Sequence, residues 1–321
     1  MGVRWKGLRK KQIFRIMSLQ NAFDLAKKQL DGGNTDTGYV ARNGKTYFAY
    51  RNNEEWSEYL SEMELKYPFA FKEYHEGDGG ELDETQYPPK MASYGSSSRF
   101  IYELSRDIPD FHFEKKLGIC IPARNDKQEA EASLDGYLES KCIYVEAKCR
   151  EIYARIHTKF NEKYRVFYDY LSLRTEGRFG FSIQESTSTK GEFVKHVLFS
   201  WDNHPLCQLD LKQLLCHLLG IAKKTINDEG KQVPTLIYLV YNPTTELLSW
   251  TKSNRTTRLI KECWETEKNE VSTVDFCLLY NCVVHFLYET KGIGNTLPPE
   301  IIDRIADAFV FNFCDQNNYM K

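Results

Sequence analysis

Three consecutive stretches near the middle of the chain carry the hydrophobic pattern of β-strands. Residues 111–121 are mostly apolar and stop at Pro122, whereas residues 132–138 and 142–149 alternate between apolar and polar positions. Alternation with a period of two is typical of strands that bury one face. Only residues 139–141 separate the second stretch from the third. We therefore expect these two strands to be antiparallel neighbours.

Apolar residues at helical spacing flank these strands on both sides. The segment 99–106 follows the serines at 96–98, which are good helix N-caps, and the segment 209–224 is a strongly apolar helix. A strand of the buried type, residues 235–241, comes next. The order helix, three strands, helix, strand predicts an α/β arrangement around one mixed sheet, with an excursion between the third strand and the second helix.

The same pattern divides the chain into three regions. We assign residues 1–74 to an N-terminal extension of helices and a hairpin, 75–250 to the core, and 251–321 to a C-terminal helical region packed on the core. Residues 75–99 are rich in Gly, Pro and Ser, which predicts a loop. The finer elements predicted are helices near 18–30, 54–67, 150–172, 274–288 and 298–313, and hairpins near 39–50 and 176–200.

Composition narrows the class of protein. The 321 residues carry a net charge of −2, which excludes a uniformly basic nucleic-acid coat protein but leaves room for a local basic groove. The nine cysteines include no Cys-x-x-Cys pair, so we expect no structural zinc site and a cytoplasmic protein with reduced thiols. Residues 1–17 lack the apolar core of a secretory signal, and no apolar run reaches the roughly 20 residues that span a bilayer. We expect no membrane partner.

The third predicted strand places charged side chains within an apolar segment. Alternation turns Glu146 and Lys148, together with Tyr144, to one face, and the apolar residues between them to the other. A carboxylate and an ammonium group in such a strand cost desolvation energy unless they are paired or bind something. The pattern fits a cross-strand salt bridge as well as a binding site.

The second predicted strand offers another carboxylate. Leu134 and Leu138 take one face of this strand and Asp135 takes the other. The tight connection can then bring Asp135 to the face of Glu146, while Gly136 leaves room for something to approach the backbone. Two carboxylates beside a lysine suit a hard divalent cation such as Mg²⁺, which can bind a phosphodiester oxygen.

These residues resemble a known signature. Asp135, followed by Glu146, Ala147 and Lys148 at the end of an apolar strand, looks like the Asp…Glu-x-Lys motif of the PD-(D/E)XK nuclease superfamily. The order of elements over about 97–241 is similar to the αβββαβ core of that superfamily. Likeness to a bacterial restriction-endonuclease-like family covers about 75–245. The chain departs from the motif at Leu134, because the residue before the aspartate in the named motif is proline.

The resemblance implies a restriction-endonuclease-like core, a central mixed sheet flanked by helices, with N- and C-terminal helical extensions. It implies that Asp135 and Glu146 hold Mg²⁺, for which Mn²⁺ can substitute, with the backbone carbonyl of Ala147 as a further ligand. Lys148 would orient the attacking water.

Many members of the superfamily add a carboxylate from the first core helix. Glu103 is the candidate for that role, and Glu81 in the glycine-rich loop is its rival. Gln213 and Lys212 could also point to the site, although an ordinary helix surface explains them as well. Residues 77–80 superficially resemble a phosphate loop but lack its Gly-Lys-Ser/Thr ending, so nucleotide binding is not expected.

The function implied by the resemblance is Mg²⁺-dependent hydrolysis of DNA phosphodiester bonds by a restriction-type endonuclease. DNA is the expected partner, together with a second copy of the chain and a cognate DNA methyltransferase. Three alternatives stay open: an inactive DNA-binding module of the same fold, a repair exonuclease or RNase, and an interaction protein whose charged residues form a salt bridge.

Overall fold

The computed structural model describes residues 53–77, 80–82, 89–92, 96–122, 128–148, 159–175, 179–187, 193–201, 211–240 and 273–315. Its helices are α1 (Asn53–Lys66), α2 (Pro68–Glu76), α3 (Ser97–Ser105), α4 (Arg165–Arg174), α5 (Leu211–Asn227), α6 (Thr273–Lys291) and α7 (Pro299–Asp307). Its strands are β1 (Phe111–Pro122), β2 (Glu129–Leu138), β3 (Ile143–Lys148), β4 (Lys159–Asn161), β5 (Phe179–Thr187), β6 (Phe193–Trp201), β7 (Thr235–Val240) and β8 (Val310–Asp315). Short 3-10 turns cover Lys90–Ala92, Glu139–Lys141 and Glu162–Tyr164.

Five strands form one mixed sheet in the order β1-β2-β3-β7-β8. β1 and β2 are antiparallel, as are β2 and β3, whereas β3, β7 and β8 run parallel. The turn at Glu139–Lys141 is short enough for an antiparallel connection, while the parallel neighbours need long crossovers that contain helices. The predicted α/β arrangement around one mixed sheet is confirmed. The excursion adds a second, three-stranded sheet in the order β4-β6-β5.

Helices cover both faces of the five-stranded sheet and form one core on each. We call the core that contains α4, α5, α6 and α7 the α5-side core, and the one that contains α1, α2 and α3 the α3-side core. Gly220 lets α5 lie close to β1, because a Cβ there would be 2.6 Å from Leu117 Cβ. On the other face, Ser96 caps α3 as predicted, since its hydroxyl oxygen accepts from the Arg99 amide at 3.2 Å.

Strand β2 does not keep one face throughout, which corrects the expected alternation. Leu134 belongs to the α5-side core, but Leu138 belongs to the α3-side core, so the two leucines do not share a face. A side chain at Gly136 would meet Phe111 and Ile101 of the α3-side core. The strand therefore changes its facing between Leu134 and Gly136, at Asp135.

Two of the predicted helical regions contain strands. Within the segment expected to be helical near 150–172, Lys159–Asn161 form β4 and the helix begins only at Arg165. The C-terminal region is not purely helical either, because Val310–Asp315 form β8 at the edge of the main sheet. Phe311 anchors β8 by stacking on Phe276 of α6, with ring centroids 3.7 Å apart.

Several other predictions have clear outcomes. The helix expected near 54–67 and the hairpin expected near 176–200 are present as α1 and the β5–β6 pair. The loop expected at 75–99 includes the end of α2 and the start of α3. The helix predicted at 18–30 and the hairpin at 39–50 lie outside the described residues. None of the helices in the described ranges is long and apolar enough to cross a membrane.

Candidate functional site

The candidate site lies where β2 and β3 part. Their antiparallel pairing covers Leu138 to Gly136 on β2 and stops there. Continuing the same register would set Asp135 opposite Glu146, and Leu134 opposite Ala147. Beyond this point β2 stays paired with β1, while β3 stays paired with β7. The sheet is therefore split at the position of the two predicted carboxylates, and we call this opening the strand split.

At the strand split, the side chain of Asp135 takes the place of a backbone hydrogen-bond acceptor. Its Oδ2 accepts a hydrogen bond of 2.7 Å from the Ala147 amide. The Ser97 hydroxyl at the first turn of α3 also bonds this carboxylate. Burial, reinforced by the negative charge of Glu146, raises the pKa of Asp135 well above its ordinary value, although both hydrogen bonds and the charge of Lys148 oppose the shift. A positive ion near Asp135 and Glu146 would relieve this unfavourable pairing of like charges.

Glu146 and Lys148 face α5, as alternation predicted. Both residues are buried, with 2% and 7% of their surface exposed. Lys148 Nζ donates to Glu146 Oε1 at 2.6 Å and to Gln213 Oε1 at 2.5 Å, and Gln213 Nε2 donates to Glu146 Oε1 at 2.8 Å. Of the two α5 residues for which both orientations stayed open, Gln213 contacts Lys148 and Glu146, whereas Lys212 is exposed. The three groups form one closed hydrogen-bonded triangle.

Ala147 turns its side chain and its backbone in different directions. The side chain is buried in the α3-side core with those of Ile143 and Val145, as predicted. Its amide points toward Asp135 across the strand split. Because the N–H and C=O of one residue in an extended strand leave by the same edge, the Ala147 carbonyl also leaves β3 on the side of Asp135.

His217 of α5 is a contact that the sequence did not predict. The residue is 1% exposed. Its Nε2 lies 2.9 Å from the carbonyl oxygen of Ser133 and 3.7 Å from Glu146 Oε2, while Nδ1 lies 3.1 Å from the Tyr238 hydroxyl. The four-residue spacing from Gln213 puts both side chains on one face of α5, which is a signal that the sequence already carried.

Glu103 of α3 is held by residues away from the strand split. Its Oε1 accepts from the Tyr59 hydroxyl at 3.3 Å, and its Oε2 lies 3.2 Å from Arg106 Nη1. Ser97, at the start of the same helix, is the residue that reaches Asp135. Glu103 lies six positions further along, about nine ångströms along the helix axis. Its contacts give this carboxylate a structural role in joining α3 to α1.

Glu81 and Glu114 lie on the α3 side of Asp135. Glu114 stands across from Asp135 in the β1–β2 register and has a positive φ of 52°. Burial, together with the negative charges of Glu81 and Asp135, raises the pKa of Glu114 to about 7. Glu81 is nearly buried, and Lys90 Nζ approaches its Oε1 to 3.4 Å. Of the two rivals for an added carboxylate, Glu81 thus acts electrostatically on Glu114, a residue that the sequence did not suggest and that the charge of Asp135 also reaches.

The donor set can be compared with the needs of a divalent cation. Within the ranges that the structure describes, no group of three or more His, Cys, Asp or Glu side chains is arranged to hold a metal. Mg²⁺ usually takes one or two protein carboxylates and fills its other positions with water and substrate oxygens. Asp135, which is bonded by Ser97 of α3, and Glu146, which is bonded by Gln213 of α5, could supply the carboxylates of that smaller requirement.

Comparison with known proteins adds no relative. No family model matches the chain, and neither the curated proteins nor the solved structures include a significant match.

Proposed function

We propose that this protein is a metal-dependent endonuclease that hydrolyses DNA phosphodiester bonds. The observation that carries the proposal is the strand split, where the continued register would set Asp135 opposite Glu146, beside a lysine held by Glu146 and Gln213. Buried ionic groups lower the stability of a fold relative to an apolar core. Their presence therefore favours a purpose that an apolar core cannot serve. A carboxylate with a raised pKa, such as Asp135, close to a buried lysine is typical of sites that bind and activate a substrate.

Asp135, Glu146 and the Ala147 carbonyl would hold Mg²⁺, or Mn²⁺ in its place. When bound there, the ion supplies Lewis-acid activation of the phosphodiester and a more acidic water. The protein's own contribution is placement. Lys148 orients the attacking water and offsets the negative charge that develops on phosphorus, while Gln213 keeps the lysine directed at the site.

The element order supports a restriction-endonuclease-like core. Helix α3, strands β1 to β3, helix α5 and strand β7 follow the αβββαβ order, with β4, α4, β5 and β6 as the excursion. A fold alone does not establish chemistry, since one fold hosts many functions. The argument for cleavage therefore comes from the charged residues of the strand split.

The substrate and partners follow from the proposed chemistry. We propose duplex DNA as the substrate and a restriction-type role with a cognate DNA methyltransferase as protective partner. A duplex cutter needs an active site for each strand, so a symmetric homodimer is the simplest assembly. A dimer would bring two copies of Asp135, Glu146 and Lys148 to the two strands.

A cleavage assay tests the function directly. Purified protein is incubated with plasmid DNA, linear DNA and single-stranded RNA, with Mg²⁺ or with a chelator. Cleavage of DNA that needs Mg²⁺ and falls by about 100-fold or more in Asp135→Ala and Lys148→Ala is the expected result. Lys212→Ala serves as the matched control, because Lys212 is an exposed lysine of α5 next to Gln213.

The other outcomes are informative as well. Cleavage that persists in both site variants would put the chemistry elsewhere in the chain. Cleavage of RNA but not DNA would replace the proposed substrate. DNA binding with no cleavage under any divalent ion would favour a binding module that keeps the fold without the reaction.

A further inference from the structure

His217 connects the strands on both sides of the strand split. It projects from α5 and contacts β2 through the Ser133 carbonyl, at 2.9 Å, and β7 through the Tyr238 hydroxyl, at 3.1 Å. Glu146 of β3 lies between them, with Oε2 3.7 Å from His217 Nε2. One imidazole ring therefore spans three neighbouring strands at the level of the site.

The hydrogen bonds of His217 determine its tautomer. A carbonyl oxygen only accepts, so Nε2 must carry the hydrogen that it donates to Ser133. Nδ1 can then accept from the Tyr238 hydroxyl. The neutral ring satisfies both polar neighbours at once, which is what a 1% exposed histidine requires.

The bond to Ser133 acts on the strand that carries Asp135. Ser133 lies two residues before Asp135, on the part of β2 that no longer pairs with β3. The change of facing in β2 falls between Leu134 and Gly136. His217 thus holds β2 on one side of this change, and the β2–β3 pairing that begins at Gly136 holds it on the other.

We propose that His217 is a positioning residue that fixes the width of the strand split and, through it, the placement of Asp135 relative to Glu146. It acts through the Ser133 carbonyl and does not touch the substrate. The effect of His217 on cleavage rests on the proposed nuclease function. Its structural consequence, the width of the strand split, does not. The Ala147 amide reports the structural consequence, because it bonds Asp135 across the strand split.

Amide hydrogen exchange tests the structural part without metal or substrate. In His217→Leu, which keeps the bulk of the side chain but not its donor, we expect exchange at Ala147 to be faster than in the wild type by about tenfold or more. Exchange at Ile143, in the paired part of β3, should change by less than about threefold. His217→Gln, which can still donate to Ser133 and accept from Tyr238, should restore protection at Ala147.

Thr225→Val provides the control for a general loss of stability. Thr225 is a second buried polar residue of α5, and its hydroxyl donates to the Ile221 carbonyl at 2.8 Å. In this variant, amide exchange at Ala147 should not increase more than amide exchange at Ile143. Unchanged exchange at Ala147 in His217→Leu, or an equal increase at Ile143, would overturn the positioning role.

Cleavage kinetics test the catalytic part. In His217→Leu, kcat should fall by about tenfold or more with KM changed by less than about threefold, and half-maximal activity should need more Mg²⁺. His217→Gln should recover most of the rate. Normal kcat and Mg²⁺ dependence in His217→Leu would overturn the catalytic part. A wild type that cleaves no nucleic acid would refute the proposed function, while the exchange result would still decide the structural role.

Discussion

At the scale of single residues, the candidate site keeps charged groups buried at a cost in stability. Asp135 is held near a second carboxylate, and its raised pKa records the cost of that arrangement. Gln213 adds neutral hydrogen bonds to a buried ion pair, which keeps Lys148 and Glu146 in one geometry. Such an arrangement is typical of sites that give up stability for function.

Replacing Asp135 by asparagine separates these two effects. Asparagine keeps the shape and can still accept from the Ala147 amide, but it removes the ionisable group whose charged form is disfavoured by burial and by Glu146. Without divalent ions and at neutral pH, we expect Asp135→Asn to raise the free energy of unfolding by about 1 kcal/mol, as measured by urea unfolding. The same variant should lose Mg²⁺-dependent cleavage and any stabilisation by Mg²⁺. Equal or lower stability would show that the charge at Asp135 costs the fold nothing.

At the scale of helices and strands, pattern predicted the elements that have one consistent face. The alternation of β3 put Glu146 and Lys148 on one face, where the structure joins them by a hydrogen bond, whereas the apolar run of α5 left the orientation of Gln213 open. The pattern could not reveal the change of facing at Asp135, because this change involves two strands at once. Glu114, on the neighbouring strand, has a positive φ. Local spacing describes one strand at a time, whereas this distortion belongs to a pair.

Strand β8 was missed for a related reason. The apolar residues over 309–313 fit the end of a helix as well as a short buried strand, and periodicity cannot distinguish the two over so few positions. Pairing with β7, which is distant in sequence, decides the outcome. His217 illustrates the same limit, since its partners Ser133 and Tyr238 come from two strands that only the fold brings together.

The contribution of β8 can be measured with two adjacent residues. Phe311 is 4% exposed and stacks on Phe276, whereas Val310 is 40% exposed. We expect Phe311→Ala to lower the free energy of unfolding by about 3 kcal/mol or more. Val310→Ala should change it by less than about 0.5 kcal/mol. Similar values for the two variants in denaturant unfolding would argue against β8 as an anchored part of the sheet.

At the scale of the whole molecule, the buried carboxylates make stability depend on pH. Glu114, with a pKa of about 7, keeps a proton in the folded chain that the unfolded chain has already released at pH 6. The raised pKa of Asp135 acts in the same direction. The free energy of unfolding attributable to these groups therefore falls as the pH rises from about 5 to about 7.

Glu114→Gln should reduce this dependence. The variant has no titrating carboxyl at position 114. Its stability relative to the wild type should therefore improve by about 1 kcal/mol between pH 5 and pH 7.5, a value reduced to allow for the partial exposure of Glu114. Glu131→Gln, an exposed position on β2, is the control. Parallel pH curves for wild type and Glu114→Gln would contradict the raised pKa.

The strand split also has a consequence for the order of folding. Antiparallel pairs β1–β2 and β2–β3 join segments that are close in sequence, so they can form early. Gln213 meets Lys148 across 65 residues, and His217 meets Ser133 across 84. Closing such long loops is slow, because their entropy is lost before the contacts form. Gln213 and His217 are thus expected to reach the site only after the antiparallel strands β1, β2 and β3 have paired, so a refolding chain should form this part of its sheet before the candidate site is complete.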